Sequence, residues 1–344
     1  MGHRRKKAGP MRIIVPIIII IIIVLACLAV GVIIIKKMKE SSEPTSSAVE
    51  APDYDNADKW SEGIVTYNNQ KYRYNNKIRT YLFMGIDSDE PVHKAKDGIS
   101  GGQADALFLI VVDNAHDKLS LVSIHRNLMT TVKMYNREGE YTGDAELQIC
   151  LQHGYGDGER LSCQRTVDCV SNLFYGIPIN GYVSLNMGGI GLLNDALGGV
   201  EVTVMQDLEN TGRNVQLTAG ETKVLNGDEA YVYVRSRDVT QFDSASDRLA
   251  RQEQYLNNMI PAMLKKIRKA SSVVSVYGAA EDYIYSNIDY NRLADEIADM
   301  TYDSAEGMRE VPGEVVMGEQ LEEFYADDDG LYQLILDVFY DKVS

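Results

Sequence analysis

Hydrophobic and polar positions along this chain change period from segment to segment, and each period predicts one kind of element. Residues 78–86, 106–113 and 118–124 are typical of β-strands, and the second run is so continuously apolar that both of its faces should be buried. Farther along, helices are predicted at 145–153, 160–174, 189–197, 291–300 and 331–339, and strands at 182–185, 200–204 and 314–317. Strands and helices alternate, which predicts a layered α/β domain.

A longer apolar run precedes the globular part. Residues 13–35 carry no charge, and the run is as long as the roughly 20 residues that a helix needs to cross a bilayer. We predict an uncleaved membrane helix at 13–35, after a basic cytoplasmic tail at 1–12 and before an extracellular tether at 36–60 that is rich in Ser, Glu, Pro and Asp. The globular part is then expected outside the cell membrane, with the N-terminus in the cytoplasm.

Two strand-like runs on either side of Asn68-Asn69 predict a β-hairpin within residues 61–77, because asparagine accepts the left-handed backbone of a tight turn. The extracellular domain proper is expected at 78–344. Nothing in the composition of its C-terminal third marks a separate domain.

The charge of the chain narrows the choice of partner. With 50 acidic and 34 basic residues, the formal net charge is −16. A protein that binds a phosphate backbone needs a broad basic face rather than a few arginines in an acidic surface. We therefore do not expect nucleic acid as a ligand.

The positions of the cysteines are weaker evidence for an extracellular domain. Cys150 and Cys163 flank a connection that contains several glycines, so a disulfide between neighbouring helices is plausible in an oxidising exterior. Reduced core thiols are the alternative, because sequence alone does not fix connectivity.

Arginines are the best indication of function. Residues 230–237 alternate like a strand, which would direct Arg235 and Arg237 to one face. A predicted helix with an apolar stripe begins at residue 247 and carries Arg248 and Arg251 near its start. A strand end that faces the start of a helix is a typical anion site.

Any one of these arginines could simply pair with a nearby carboxylate on the surface. Four that converge are different, because two like charges about 4 Å apart repel by roughly 4 kcal/mol at an effective dielectric constant of ~20. Convergence would therefore require an anion. Guanidinium groups bind phosphate oxygens in a bidentate manner, so the pattern favours a phosphate-bearing ligand.

Several short segments at predicted element ends match one family when they are taken in order. They are Gly85-Ile86-Asp87-Ser88, Gln103-Ala104-Asp105-Ala106, Ser123-Ile124-His125-Arg126-Asn127, Asn194-Asp195-Ala196-Leu197-Gly198-Gly199-Val200, Leu225-Asn226-Gly227-Asp228-Glu229-Ala230 and the Arg235 segment. Together they resemble the LytR-CpsA-Psr family of membrane-anchored cell-wall enzymes over about residues 81–260. Residues 261–344 would form a C-terminal extension of helices and strands.

The resemblance implies a three-layer α/β/α domain with a central mixed sheet, and it implies an activity. Such an enzyme takes an anionic glycopolymer, a teichoic acid or capsule polymer, from a polyprenyl-pyrophosphate carrier and attaches it to peptidoglycan by a phosphodiester bond. This transfer needs charge neutralisation at phosphorus and support for the leaving group. The expected partners are the lipid-linked glycopolymer, peptidoglycan and the membrane.

Apolar helices around Leu151, Leu173, Leu192 and Leu193 could line a groove for the polyprenyl tail, although ordinary core is the commoner role of such leucines.

The resemblance also assigns roles to individual residues. Asp87 and Asp105 would hold Mg²⁺ or Mn²⁺ on the pyrophosphate, since a hard cation prefers carboxylate and phosphate oxygens. The implied catalytic residues are Arg126, Arg235, Arg237, Arg251 and Asp247. The implied pyrophosphate-binding residues are Arg126, Arg235, Arg237, Arg248, Arg251 and Gln252.

The chain departs from the family pattern in two of these segments. Gln103 and Ala106 stand where the family usually has arginine and threonine, and Asn127 stands where it usually has aspartate. The missing carboxylate leaves the general base open between Asp243 and Asp247. His125, which precedes Arg126, is expected to be a packing or supporting residue rather than a ligand.

Other functions fit the same residues. If water replaces the acceptor hydroxyl, the protein is a polyprenyl-pyrophosphate pyrophosphatase. If no base is productive, the domain is a non-catalytic, membrane-tethered receptor or regulator of wall polymers, and the amide at Asn127 favours that reading. A generic surface adhesin would leave the clustered arginines unexplained.

Overall fold

The structure is a computed structural model that describes residues 63–238, 240–267, 278–288, 300–319 and 321–343. The predicted cytoplasmic tail, membrane helix and tether at 1–12, 13–35 and 36–60 lie outside these residues, as does the predicted helix at 291–300 apart from its last residue. Among the helices that are described, none is both long enough and apolar enough to span a bilayer.

The described residues form strands and helices in the order of the chain. The strands are β1 (Ile64–Tyr67), β2 (Gln70–Tyr74), β3 (Ile78–Ile86), β4 (Ala104–Asp113), β5 (Lys118–Ile124), β6 (Met129–Tyr135), β7 (Tyr141–Gln148), β8 (Gly181–Asn186), β9 (Val200–Thr203), β10 (Leu208–Asn210), β11 (Val215–Leu217), β12 (Thr222–Leu225), β13 (Ile284–Ser286), β14 (Met308–Glu310), β15 (Gly313–Met317), β16 (Glu322–Ala326) and β17 (Tyr340–Val343). The helices are α1 (Leu151–Gly154), α2 (Arg160–Leu173), α3 (Ile190–Leu197), α4 (Gly227–Arg235), α5 (Ser244–Ile267) and α6 (Asp328–Phe339).

A six-stranded sheet with the order β13-β8-β3-β4-β5-β14 forms the centre of the domain. Strand β3 is antiparallel to β4 and parallel to β8, and β14 is parallel to β5. The mixed central sheet that the resemblance implies is therefore confirmed. Residues 104–112 of β4 are all buried, because apolar layers cover both faces of the sheet as its continuous run predicted.

Two hydrophobic cores lie on opposite faces of this sheet. Alternation along β3 and β4 directs Phe83 and Phe108 into one core and Leu82 and Leu107 into the other. Helices α3, α4 and α5 cover the first core, whereas α2 and α6 cover the second. A layer of helices thus lies on each side of the sheet.

The predicted hairpin is present at the edge of the second core. Strands β1 and β2 pair in antiparallel fashion, and Asn68 and Asn69 turn between them with φ of 48° and 61°. Strand β17 pairs with β2 to complete a three-stranded sheet, and Tyr67 packs edge-on against Tyr332 of α6. The C-terminal residues therefore close onto the first strands of the domain.

The helix predicted at 145–153 is wrong for most of its length. Strand β7 continues to Gln148 and pairs with β6 over seven residue pairs, so that only Leu151–Gly154 is helical. Pairing with a distant strand has overridden the local helix preference of Ala145, Glu146 and Leu147.

The strand predicted at 230–237 is also wrong, because residues 227–235 form helix α4. Asn226 caps this helix by accepting a hydrogen bond from the Glu229 amide at 3.0 Å, and the Glu229 carboxylate accepts one from the Asn226 amide at 3.0 Å. This reciprocal capping box is a strong helix start. The alternation of Tyr and Val at 231–234 carries no strand information here, since all four residues are buried.

Candidate active site

Strand pairing brings the sequence-predicted site residues to one edge of the central sheet. Ile86, the last residue of β3, pairs with Ala104 at the start of β4, and Ile124, the last residue of β5, pairs with Leu107. Asp87 follows the end of β3 directly, Arg126 lies two residues beyond the end of β5, and Asp105 lies between the two paired positions of β4. Residues distant in sequence therefore meet because their strands are neighbours.

A buried carboxylate shared by two arginines lies at the centre of the site. Arg126 Nη2 lies 2.9 Å from Asp105 Oδ1, and Arg248 Nη1 lies 2.8 Å from Asp105 Oδ2. The side chains of Arg126, Asp105 and Arg248 are 12%, 8% and 7% exposed. Gln103 also accepts a hydrogen bond from Arg126 Nη2 at 2.6 Å. One negative charge thus faces two positive charges, which leaves an excess of one positive charge in a largely desolvated place.

Arg235 extends this network toward the loop that follows β3. It donates to Asp87 Oδ1 at 2.8 Å and to Asp89 Oδ2 at 3.0 Å. Tyr231, one turn earlier on α4, donates to Asp89 Oδ1 at 2.7 Å and contacts the same guanidinium group. Tyr231 and Arg235 thus lie on the same side of a helix, four residues apart, whereas strand alternation was expected to place them on the same face.

Arg237 extends the network in the other direction, to the loop before α5. Its Nη2 donates to Glu322 Oε2 at 2.9 Å, and its Nε donates to Ser244 Oγ at 3.0 Å. The second oxygen of Glu322 accepts the backbone N–H of Asp243 at 2.7 Å. A buried glutamate from β16 therefore holds both Arg237 and the turn that carries Asp243.

The convergence of these charges is visible at His125. This imidazole is 4% exposed, and burial lowers its pKa to about 4. Asp243 opposes that shift, whereas Arg126, Arg248 and Arg237 each lower the pKa of His125 further. Three arginines from three separate segments therefore act on one side chain, as an anion-binding site requires.

Two guanidinium nitrogens of the cluster have no hydrogen-bond partner within the described part of the chain. They are Arg126 Nε and Arg248 Nη2, both of them buried. A buried donor without a partner costs about 1–3 kcal/mol, so native proteins seldom retain one unless a ligand supplies the acceptor. Phosphate oxygens are acceptors that match guanidinium donors.

Arg251 and Gln252 lie beside the cluster in a different arrangement. Arg251 is 0% exposed, and it donates to the carbonyl oxygen of Tyr233 at 2.8 Å and to that of Ser236. Gln252 Nε2 donates to the carbonyl oxygen of Val234 at 3.0 Å. These contacts fasten α5 to the C-terminal end of α4 and so position Arg235 and Arg237. Direct contact of Arg251 and Gln252 with pyrophosphate stays a prediction.

The two aspartates considered as general base differ in their surroundings. Asp243 lies in the turn before α5, partly buried, and acts electrostatically on His125. Asp247 lies in the first turn of α5 with an exposed side chain. Asp243 is therefore the less exposed of the two and acts on the same imidazole as Arg126, Arg237 and Arg248, whereas Asp247 acts on Arg251.

The predicted disulfide is wrong, because Cys150 and Cys163 are both free thiols within the described residues. Cys150 Sγ accepts a hydrogen bond from Arg126 Nη2 at 3.2 Å, whereas Cys163 Sγ lies 3.8 Å from His153 Nε2. The two sulfur atoms thus contact different side chains. Burial raises the pKa of Cys150 to about 11 and that of Cys163 to about 12, so both stay protonated.

The two carboxylates expected to bind a metal ion are both engaged by arginines. In the described ranges, no group of three or more His, Cys, Asp or Glu residues could hold a metal ion by itself. Both oxygens of Asp105 contact guanidinium groups, at 2.9 Å and 2.8 Å, whereas Asp87 is 46% exposed. A divalent cation therefore fits this site only when substrate phosphate oxygens complete its coordination, which is how Mg²⁺ is usually bound.

An apolar pocket lies between the sheet and the helices of the first core. Its volume is ≈ 30 Å³, and its lining includes Phe83, Gly85, Ala106, Phe108, Leu185, Met187, Ile190, Leu193, Val234, Gln252, Tyr255, Leu256 and Met259. Ala106 follows Asp105 directly, so the pocket adjoins the charged cluster. Of the leucines considered for a groove, Leu193 lines this pocket, whereas Leu173 packs against the opposite core and Leu192 is 42% exposed.

Sequence reasoning missed three residues that hold the cluster together, namely Asp89, Ser246 and Glu322. Asp89 follows Asp87 by two positions, a spacing that could have suggested a second carboxylate at the same strand end. Ser246 and Glu322 carry no comparable signal, because a turn and a distant hairpin bring them to the site.

Comparisons with known proteins agree with this architecture. The LytR_cpsA_psr family model matches residues 38–328. A protein of Halalkalibacterium halodurans, named polyisoprenyl-teichoic acid–peptidoglycan teichoic acid transferase TagU, is 33% identical over 201 residues, which span 57% of this chain and 58% of that relative. TagV of B. subtilis has the same fold, with a TM-score of 0.58 at 24% identity over 76% of this chain and 96% of TagV. TagT bound to LI-WTA gives a TM-score of 0.53 at 19% identity over 76% of this chain and 90% of TagT.

Proposed function

Because the chain belongs to the LytR_cpsA_psr family, we propose that it is a phosphotransferase that attaches an anionic glycopolymer from a polyprenyl-pyrophosphate carrier to peptidoglycan. The observation that carries this proposal is the pair Arg126 and Arg248, which share one buried carboxylate and retain unpaired donors. The relative TagU is named as a teichoic acid transferase, and TagT has been solved bound to LI-WTA, which supports a donor of that chemistry.

The transfer needs one bond to form and one to break. An acceptor hydroxyl oxygen attacks the phosphorus next to the glycopolymer, and the bond from that phosphorus to the bridging oxygen of the pyrophosphate breaks. Asp243 takes the hydroxyl proton, and polyprenyl phosphate leaves with the bridging oxygen. Arg126 and Arg248 would neutralise charge on the transferred phosphoryl group, and Arg235 and Arg237 would stabilise the leaving phosphate.

A divalent cation, Mg²⁺ or Mn²⁺, is part of this proposal. Asp105 and Asp87 would hold it together with pyrophosphate oxygens, in exchange for part of their contacts with arginines. When bound, the cation would withdraw electron density from the phosphoryl oxygens and add positive charge opposite the leaving group.

The apolar pocket beside the cluster has the lining that a polyprenyl tail needs, and at ≈ 30 Å³ it would have to widen to take the first part of that tail. Its walls are mostly aliphatic and aromatic, and Gln252 and Val234 connect it to the end of α4 that precedes Arg235. The apolar run at residues 13–35 would anchor the domain at the outer face of the cell membrane, where such a carrier resides.

Single arginine substitutions test the site. Arg126→Ala and Arg235→Ala should each lower metal-dependent transfer from a polyprenyl-pyrophosphate-linked glycopolymer by about 10²–10³-fold, as the loss of one preorganised donor commonly does. Arg73→Ala, on the exposed face of β2, is the matched control and should keep full activity. Full activity in both site variants would refute this assignment of the site.

Product analysis separates the two activities that the site could support. With peptidoglycan present, we expect a phosphodiester-linked product together with polyprenyl phosphate. If the polymer phosphate is released into water with or without peptidoglycan, the protein is a pyrophosphatase instead. A domain that binds the carrier without turning it over under any divalent cation would be a receptor.

A further inference from the structure

We propose that His125 and Ser246 form a hydrogen-bonded chain that orients Asp243 as the general base. The inference rests on the proposed phosphotransfer and adds two positioning residues to it. Ser246 belongs to no segment that carries the family resemblance, and His125 was expected only to pack or to support the site.

The hydrogen bonds of the chain have defined directions. The backbone N–H of Asn127 donates to His125 Nδ1 at 3.2 Å, so Nδ1 is the unprotonated nitrogen of the ring. His125 Nε2 therefore carries the proton and donates to Ser246 Oγ at 3.2 Å. The Ser246 hydroxyl in turn donates to Asp243 Oδ1. Each donor in the chain thus has one acceptor, and the last acceptor is the carboxylate.

Packing holds the imidazole in this tautomer and orientation. His125 stacks on Phe324 with ring centroids 4.8 Å apart and an interplanar angle of 19°. The backbone N–H of Phe324 donates to the carbonyl oxygen of Asn127 at 2.9 Å, which ties the strand that carries Phe324 to the turn after His125. The ring is 4% exposed and adjoins three arginines, which together with burial keep it neutral.

Asp243 is held at its side chain and at its backbone. Ser246 occupies Asp243 Oδ1, and Glu322 accepts the Asp243 backbone N–H at 2.7 Å. Asp243 has φ of 61°, a left-handed conformation that persists in a non-glycine residue only where its surroundings fix it. Asp243 Oδ2 has no hydrogen-bond partner among the described residues. The hydrogen bond from Ser246 thus occupies Oδ1 of Asp243 and leaves Oδ2 to accept a proton.

The proton balance assigns separate tasks to the three residues. The acceptor hydroxyl gives its proton to Asp243 Oδ2 while its oxygen forms the new bond to phosphorus. His125 and Ser246 keep their own protons throughout and act only by orienting Oδ1. They are therefore positioning residues, and neither touches the reacting atoms.

A double-mutant cycle on the full chain in detergent micelles tests this inference, with Ser246→Ala, His125→Ala and the double variant. Each single variant should lower kcat of transfer by about 10–100-fold, within the range expected of base catalysis, with KM for the lipid-linked donor unchanged. The double variant should be no slower than Ser246→Ala, because His125 acts only through Ser246. His125→Gln, which retains a donor, should recover part of the loss. Additive effects in the double variant, or unchanged kcat in Ser246→Ala, would overturn the chain.

Control variants and a spectroscopic measurement separate this inference from the proposed function. His116→Ala and Ser304→Ala replace exposed residues and should leave kcat unchanged. If the wild-type protein has no transfer activity, the proposed function is wrong. If the wild type is active and the effects of the two substitutions are additive, only the hydrogen-bonded arrangement of His125, Ser246 and Asp243 is wrong. Nitrogen NMR of His125 should show the Nε2–H tautomer at pH 6 even in an inactive protein, and the Nδ1–H tautomer would contradict the geometry. A covalent phosphopolymer on Ser246, detected by intact mass, would make Ser246 a nucleophile and overturn the positioning role.

Discussion

Replacing Asp105 with asparagine removes the one carboxylate that Arg126 and Arg248 share. The substitution keeps the shape of the side chain and removes its charge. Two guanidinium groups, 12% and 7% exposed, would then face each other without a counter-ion. If the cluster is built to hold an anion, the variant should be unstable by itself and should be rescued by a phosphate ligand.

The size of the effect follows from burial. Breaking a buried ion pair by neutralising one partner costs roughly 3–5 kcal/mol, because the other charge stays buried without compensation. Against a total stability of about 5–15 kcal/mol, that loss is a large fraction. A loss of this size in a domain of this length lowers Tm by roughly 6–20 °C. The equivalent change at an exposed pair, Asp228→Asn opposite Arg213, should cost only about 0–1 kcal/mol.

Urea and thermal unfolding with and without inorganic pyrophosphate measure both parts of this prediction. Asp105→Asn should lose several kcal/mol without the ligand, and saturating pyrophosphate should raise Tm of the variant more than that of the wild type. The larger rise is expected because the ligand now supplies the only negative charge between Arg126 and Arg248. A loss below about 1 kcal/mol, or an equal ligand response in both proteins, would refute the reading of this cluster as an anion site.

Three further measurements probe other parts of the structure. Burial lowers the pKa of His125 and of His153 from 6.5 to about 4. The unfolded chain therefore binds protons first, and stability that is fully present above pH 6.5 should fall as pH drops toward 4, by up to roughly 3 kcal/mol per ring in urea titrations. Glu322→Ala should cost about 3 kcal/mol and reduce transfer, because it releases Arg237 and the Asp243 turn; unchanged stability would exclude this anchor. Arg251→Met should lower the stability by about 2–4 kcal/mol while the folded fraction keeps its affinity for the donor in a binding titration. A large loss of affinity would instead make Arg251 a phosphate ligand.

Elements whose signals are local could be predicted from the sequence. The continuous apolar run of β4 is buried on both faces, and α3 ends where Gly198 adopts a left-handed backbone with φ of 90°. The apolar stripe of α5 is likewise in place, since Leu256, Met259 and Ile260 are buried in the first core. In each case the residue pattern and the local backbone requirement agree.

Elements that depend on distant partners could not be predicted in this way. Strand β7 exists because β6 pairs with it, and its own residues 145–148 favour a helix. The alternation of Tyr and Val at 231–234 was interpreted as a strand. All four side chains are buried, however, and a helix that is enclosed by other elements can carry the same run of apolar residues. The Asn226 and Glu229 capping box was the local signal that could have decided between the two.

The candidate site also contains residues that the sequence identifies and residues that it does not, and the difference has a structural reason. Asp87 and Arg126 lie just after the ends of β3 and β5, and Asp105 lies at the start of β4, so antiparallel pairing of β4 with both neighbours predicts their proximity. Glu322 reaches Arg237 and Asp243 only because Phe324 of its strand bridges to Leu128, a contact nearly 200 residues apart in the chain. Charged residues that bind a ligand can therefore be found from strand ends, whereas the residues that orient them depend on packing that forms only in the folded domain.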